Sequence, residues 1–157
     1  MKNTLKYIGL LLLLTIIGFL IRNFFFELSL SQIANENIQV ESRNMSGQFY
    51  SHITFALSIG IIPLLYLIIK KMTKLNFFNQ GIMSYGIVIV CGILLWQFRV
   101  YQLNNQALKL VRFNVGSEIK IQMGYDTLNF GRYLFFGFII GTILSILIFK
   151  NRNNTAN

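Results

Sequence analysis

Apart from Lys6 at the edge of the first, four long runs of the chain contain no charged residue and no histidine: approximately residues 5–21, 53–69, 82–98 and 133–149. About 20 apolar residues cross the hydrocarbon core of a bilayer as a helix. A helix of a soluble protein carries a polar face, whereas these runs are apolar all round. Tyr7, Tyr50, Trp96, Tyr101 and Tyr133 stand near the ends of the runs, where interfacial aromatics sit. The pattern predicts an all-α membrane protein with four transmembrane helices in an antiparallel bundle, residues 1–157 forming one membrane domain. The first run also resembles a signal peptide, with a basic start and an apolar centre. The following "RNFFFELS" offers no small-x-small cleavage site, which favours an uncleaved helix.

Two long polar segments separate the runs, at about residues 22–52 and 99–132. In the second, Val111, Phe113 and Val115 alternate with polar neighbours. After Gly116-Ser117, Ile119, Ile121 and Met123 do the same. Period-two alternation broken at Gly-Ser predicts a β-hairpin. A three-residue turn pairs Phe113 with Ile121 and Val111 with Met123, and gathers the apolar side chains on one face. Because an isolated hairpin is marginal in water, Asn37–Ser42 of the first segment is the expected third strand, with Ile38 and Val40 alternating. The rival is a helix continuing from the third run, since Trp96, Val100, Leu103, Ala107 and Leu110 recur at helical spacing. Either arrangement makes a small cap from the two loops. The tail, about residues 151–157, is expected to be disordered.

Composition agrees with the pattern. Of 157 residues, 12% are charged and 54% hydrophobic, where a soluble domain carries about 25% charged. Charge then orients the chain. Lys2, Lys6, Lys70, Lys71, Lys74, Lys150 and Arg152 lie in the termini and the link between runs two and three, with no acid among them. All five acids, Glu27, Glu36, Glu41, Glu118 and Asp126, fall in the two long loops. Basic residues concentrate on the cytoplasmic side. Both termini are therefore expected in the cytoplasm of a plasma (inner) membrane, and both long loops outside. Arg22, Arg99 and Arg132 then mark the outer edges of the spans, where their stems snorkel. The net charge of +9 is scattered over these boundaries, which speaks for the lipid bilayer as partner and against nucleic acid.

Small residues punctuate the spans. Gly137, Gly141 and Ser145 are spaced four apart in the fourth, and Ala56 and Gly60 repeat the spacing in the second. Such faces let helix backbones approach in lipid, either within the chain or between copies. Pro63, the only proline, is expected to interrupt the second span.

Chemistry is thin. Cys91, the only cysteine, lies mid-span and reads as a packing residue. His52, the only histidine, stands at a span entrance without partners in metal-ligand spacing. The spans carry none of the buried carboxylates that proton-coupled carriers use. No cofactor or metal is expected, and no enzyme activity. The leading expectation is a non-enzymatic membrane protein, an accessory subunit or immunity-type protein, that binds a protein partner through cap residues Arg112, Glu118, Lys120, Gln122, Tyr125 and Asp126. The alternative is a homo-oligomeric pore or channel assembled through Gly137, Gly141 and Ser145, with Phe24, Phe25 and Phe26 forming a constriction.

Overall fold

Long apolar runs lose nothing by becoming helices in lipid, because the helix satisfies its own backbone hydrogen bonds where water is absent. The computed structural model describes residues 2–33, 38–41, 45–73, 78–113 and 121–154. In chain order it contains α1 (Lys2–Ser31), β1 (Ile38–Glu41), α2 (Met45–Gly60), α3 (Ile62–Thr73), α4 (Phe78–Phe113), β2 (Ile121–Gly124), α5 (Tyr125–Leu128) and α6 (Phe130–Asn154). Four helical stretches are long and apolar enough to cross a membrane: Lys6–Ser31, Ser46–Thr73, Gln80–Lys109 and Phe130–Lys150. The chain is thus a multi-pass membrane protein by length and composition. Each stretch outruns the apolar core that the pattern defines. From Lys6 to Arg22 is roughly 24 Å of helix, and from Arg132 to Lys150 roughly 27 Å, at the α-helical rise. Both are close to the ~30 Å thickness of a hydrocarbon core.

Pro63 leaves its mark on the second crossing. It divides into α2 and α3 at Ile61, although Ile61 N still donates to the Leu57 carbonyl and Leu65 N to the Ile61 carbonyl. Proline lacks the amide that would bond one turn back, so the ladder is interrupted without being lost.

One expectation about the loops requires correction. The hairpin is not formed: Val111 and Phe113 belong to the last turns of α4, and β2 pairs with β1 of the first loop. The pairing is parallel, with Ile38 opposite Ile121 and Val40 opposite Met123. Helical apolar spacing carries α4 past Leu110, and no Gly or Pro stands between Phe98 and Phe113 to stop it. A parallel pair needs a long crossover, and here α2, α3 and α4 supply it. The proposed turn, Gly116 to Glu118, lies outside the described residues. At the other end of the chain, α6 continues to Asn154, and residues 155–157 of the tail lie outside the described residues.

Helix packing is set by glycines. A Cβ built on Gly137 would lie 2.5 Å from the Cys91 carbonyl oxygen and 2.6 Å from the Gly92 Cα. One on Gly141 would lie 2.7 Å from the Val88 Cα. One turn further, Ser145 Oγ approaches the Ser84 carbonyl at 3.5 Å. In return, the Phe138 ring occupies the space above Gly92. These contacts run antiparallel along α4 and α6. On the other side of the molecule, Gly18 of α1 faces Ala56 of α2, and Gly60 faces Thr15 and Leu11.

Replacing Gly141 by Leu should therefore overpack the α4–α6 seam and cost about 1–3 kcal/mol. Gly86, which has nothing within 4 Å of a built Cβ, should accept Leu without loss. Unfolding in mild detergent, followed by circular dichroism, checks the pair. Equal stability of the two variants would contradict this packing.

Candidate functional site

Polar side chains gather at the end of the helices that carries the two long loops. Arg132 donates through NH2 to the Tyr50 hydroxyl at 2.7 Å, and its guanidinium stands 5.1 Å from the Tyr50 ring centre. Arg99 lies 5.2 Å from the Tyr133 ring, and Gln102 Oε1 accepts from both Arg99 NH1 and the Tyr133 hydroxyl. Arg22 and His52 line one cavity between α1 and α2. Arg22, Arg99 and Arg132 thus sit near one level with two tyrosines, and Trp96 lies close by. Interfacial belts have this composition.

Arg99 does more than mark the boundary. Its Nε donates to the Leu128 carbonyl at 3.0 Å and its NH2 to the Thr127 carbonyl at 2.6 Å. Those carbonyls end α5, a four-residue helix whose last turn leaves acceptors without helical partners. Asn129 then turns the chain with φ 54°, a left-handed conformation that asparagine tolerates better than most residues. Its carbonyl accepts from Tyr133 N and so starts α6. Leu128 and Phe130, both buried, fix the turn from either side.

Beside these arginines lies an aromatic cluster. Phe25 stacks on Phe55 with ring centres 4.1 Å apart, and Trp96 lies 5.2 Å from Phe25. Phe26 meets Phe130 at 5.8 Å and His52 edge-on at 5.0 Å. Trp96 Nε1 donates to Ser29 Oγ at 3.0 Å, and Ser29 donates to the Phe25 carbonyl at 2.7 Å. The only indole of the chain is thereby satisfied inside the protein, tying α1 to α4. Nearby, Ser58 Oγ lies 2.8 Å from the Gly131 carbonyl, a bond from α2 to the start of α6. Phe25 and Phe26 are thus packed between helices, while Phe24 faces outward at 69% exposure.

Burial does not stop at the arginine level. Val100, Leu103 and Ala107 on α4 are all at most 4% exposed, and they belong with Ile33 and Leu128 among the buried apolar residues. The helix runs about 21 Å beyond Arg99 at 1.5 Å per residue. A helical outcrop with its own apolar contacts therefore stands above the boundary, and β1 and β2 join the two loops there.

Of the cap residues singled out from the sequence, Arg112 lies in the last turn of α4, Gln122 in β2 opposite Gln39, and Tyr125 and Asp126 in α5. Glu118 and Lys120 lie outside the described residues. Gly137, Gly141 and Ser145 are buried against α4 of the same chain, and Ala56 and Gly60 against α1. Cys91 lies on the α4–α6 seam, where its Cβ would be 3.0 Å from a Cβ on Gly141. Among the described residues, no three His, Cys, Asp or Glu side chains gather in a way that could hold a metal ion. Ser29, Gln102 and Asn129 carry this end of the molecule and were not singled out by sequence. No family model, curated protein or solved structure matches the chain.

If Arg99 fixes the turn between α5 and α6, Arg99→Met should loosen it, since hydrogen bonds from charged donors contribute about 1.5–3 kcal/mol each. Amide exchange across residues 125–130 should accelerate at least tenfold, with exchange in residues 134–148 unchanged. A uniform change across both segments would contradict a local role.

Proposed function

We propose that this chain is a non-enzymatic protein of the plasma (inner) membrane, with both termini cytoplasmic, that binds a protein partner through its outer loops. An accessory subunit of an envelope complex and an immunity-type protein both meet that description. The observation that carries the reading is the joining of the two loops, by β1 and β2, above a helix that protrudes well past the arginine level. A chain whose loops merely connect spans needs neither feature. The opposite end offers less: α3 and α4 are separated by only residues 74–77. The orientation rests on the acid-free cluster of Lys70, Lys71, Lys74 and the basic termini at that end.

Recognition here draws on polar side chains of both signs. Arg112 and Lys120 contribute positive charge; Glu118 and Asp126 contribute negative charge; Gln122 and Tyr125 offer neutral hydrogen-bonding groups. Such a surface steers a partner by complementary charge, and reversal of a charge costs more than its removal. The pore alternative draws less support. Its assembly face, Gly137, Gly141 and Ser145, is filled by α4, so a second copy would need another face.

Charge reversal tests the reading. Protein extracted from its native membrane in mild detergent should retain a second polypeptide in native mass spectrometry. The double variant Arg112→Glu, Lys120→Glu should lose it with helical circular dichroism unchanged. A particle made of this chain alone, or a partner retained by the double variant, would overturn the proposal.

A further inference from the structure

The α1–α2 pair holds two cavities, one above the other. The upper, about 600 Å³, is lined by Arg22, Asn23, Ser46, Gln48, Phe49 and His52. None of these is acidic, and four carry groups able to donate a hydrogen bond to an anion from their side chain besides the arginine itself. The lower, about 390 Å³, is lined by Ile16, Phe19, Leu20, Ile53 and Leu57, together with Thr15 and Ala56. Thr15 spends its hydroxyl proton on the Leu11 carbonyl at 2.9 Å, so the slot presents no side-chain donor to an anion.

Phe19 links the two. It walls the lower slot, its carbonyl accepts from Arg22 NH1 at 2.6 Å, and its ring lies 4.0 Å beneath the Arg22 guanidinium. The cation is therefore held at the boundary between a polar chamber and an apolar slot. A guanidinium has five N–H donors in a fixed fork, and the carbonyl takes one of its nitrogens, so the remaining fork can serve a phosphate bidentately. From Asn23 to Thr15 the two adjoining cavities together span a crevice of roughly 12 Å along α1. It begins at the arginine level and descends toward the other end of the spans, as a lipid does from headgroup to chain.

We infer that this crevice is a binding site for an anionic phospholipid, its phosphate held by Arg22 beside His52 and one acyl chain seated between Phe19, Leu20, Ile53 and Leu57. Charge complementarity selects the headgroup, and the absence of side-chain donors below selects a chain rather than a water-soluble anion. A second groove, between α2 and α6, lies on the other side of Leu57, with Arg132 at its rim. Arg132 donates there to Tyr50, and the lining carries no second cation or imidazole. It serves as an internal control. The upper chamber borders the first outer loop, but the inference stands apart from the partner-binding proposal, since none of its residues is among Arg112, Glu118, Lys120, Gln122, Tyr125 and Asp126.

The test is native mass spectrometry of purified protein titrated in detergent with dioleoyl phosphatidylglycerol or dioleoyl phosphatidylcholine. The wild type should take up one phosphatidylglycerol in preference to phosphatidylcholine by roughly tenfold, the scale of a charge-assisted contact. Arg22→Gln should abolish the preference, and Arg22→Lys should restore part of it. Leu20→Trp, which fills the slot from an outward position at 72% exposure, should remove the bound lipid while keeping helical content. Arg132→Gln should leave the preference intact. Equal loss in Arg22→Gln and Arg132→Gln would mean a general boundary attraction and would overturn the site. Persistence in Leu20→Trp, or displacement of the lipid by millimolar inorganic phosphate, would show an anion site without a chain and would overturn it as well.

Discussion

The rest of the structure depends on how closely α6 approaches α4. Water squeezes helices together in a soluble protein, but lipid supplies no such drive, and packing must replace it. Gly137 and Gly141 bring the two backbones to distances that no side chain would permit, and Phe138 fills the hollow left by Gly92. Once α6 is fixed against α4, its first turn is fixed too. That turn places Gly131 against the Phe55 amide and Ser58, Tyr133 beside Arg99, and Arg132 beside Tyr50. The arginine level and the turn at Asn129 are consequences of a seam that lies deeper in the helices.

Much of this was legible in the residues. Four apolar runs gave four helices, because length and the absence of charge leave little else that lipid accepts. The small-residue faces were legible as faces. What occupied them was not, since Gly137 carries no trace of whether Cys91 belongs to its own chain or another. The Trp96–Ser29 bond joins residues far apart in sequence, and nothing local announces it. At the loops, alternation at Val111, Phe113 and Val115 competed with helical spacing at Val100, Leu103 and Ala107, and the helix prevailed. The buried positions of those three residues give the reason: each is already committed to a helical face packed against the rest of the protein. The strand at Ile121 then found its partner in Ile38, which sequence had assigned to the same sheet but by way of a hairpin.

The two ends of the molecule consequently differ in kind. At one, short connections and acid-free basic residues follow the logic of topology. At the other, arginines are held by carbonyls and aromatic rings, α4 projects beyond them, and two distant loops are stitched together. The proposed partner surface and the proposed lipid site both belong to this second end, yet they use different chemistry. One takes charges of both signs in the loops. The other takes a single cation poised over an apolar crevice between α1 and α2.

Whether the small-residue face of α6 is consumed within its own chain is read most directly from the number of copies in the Gly141→Leu particle. A Cβ at Gly141 meets the α4 backbone, so the variant should unfold more easily, while native mass spectrometry of protein extracted in mild detergent should count the same number of copies as in the wild type. A particle that loses copies of the chain, with its unfolding unchanged, would place another copy on that face.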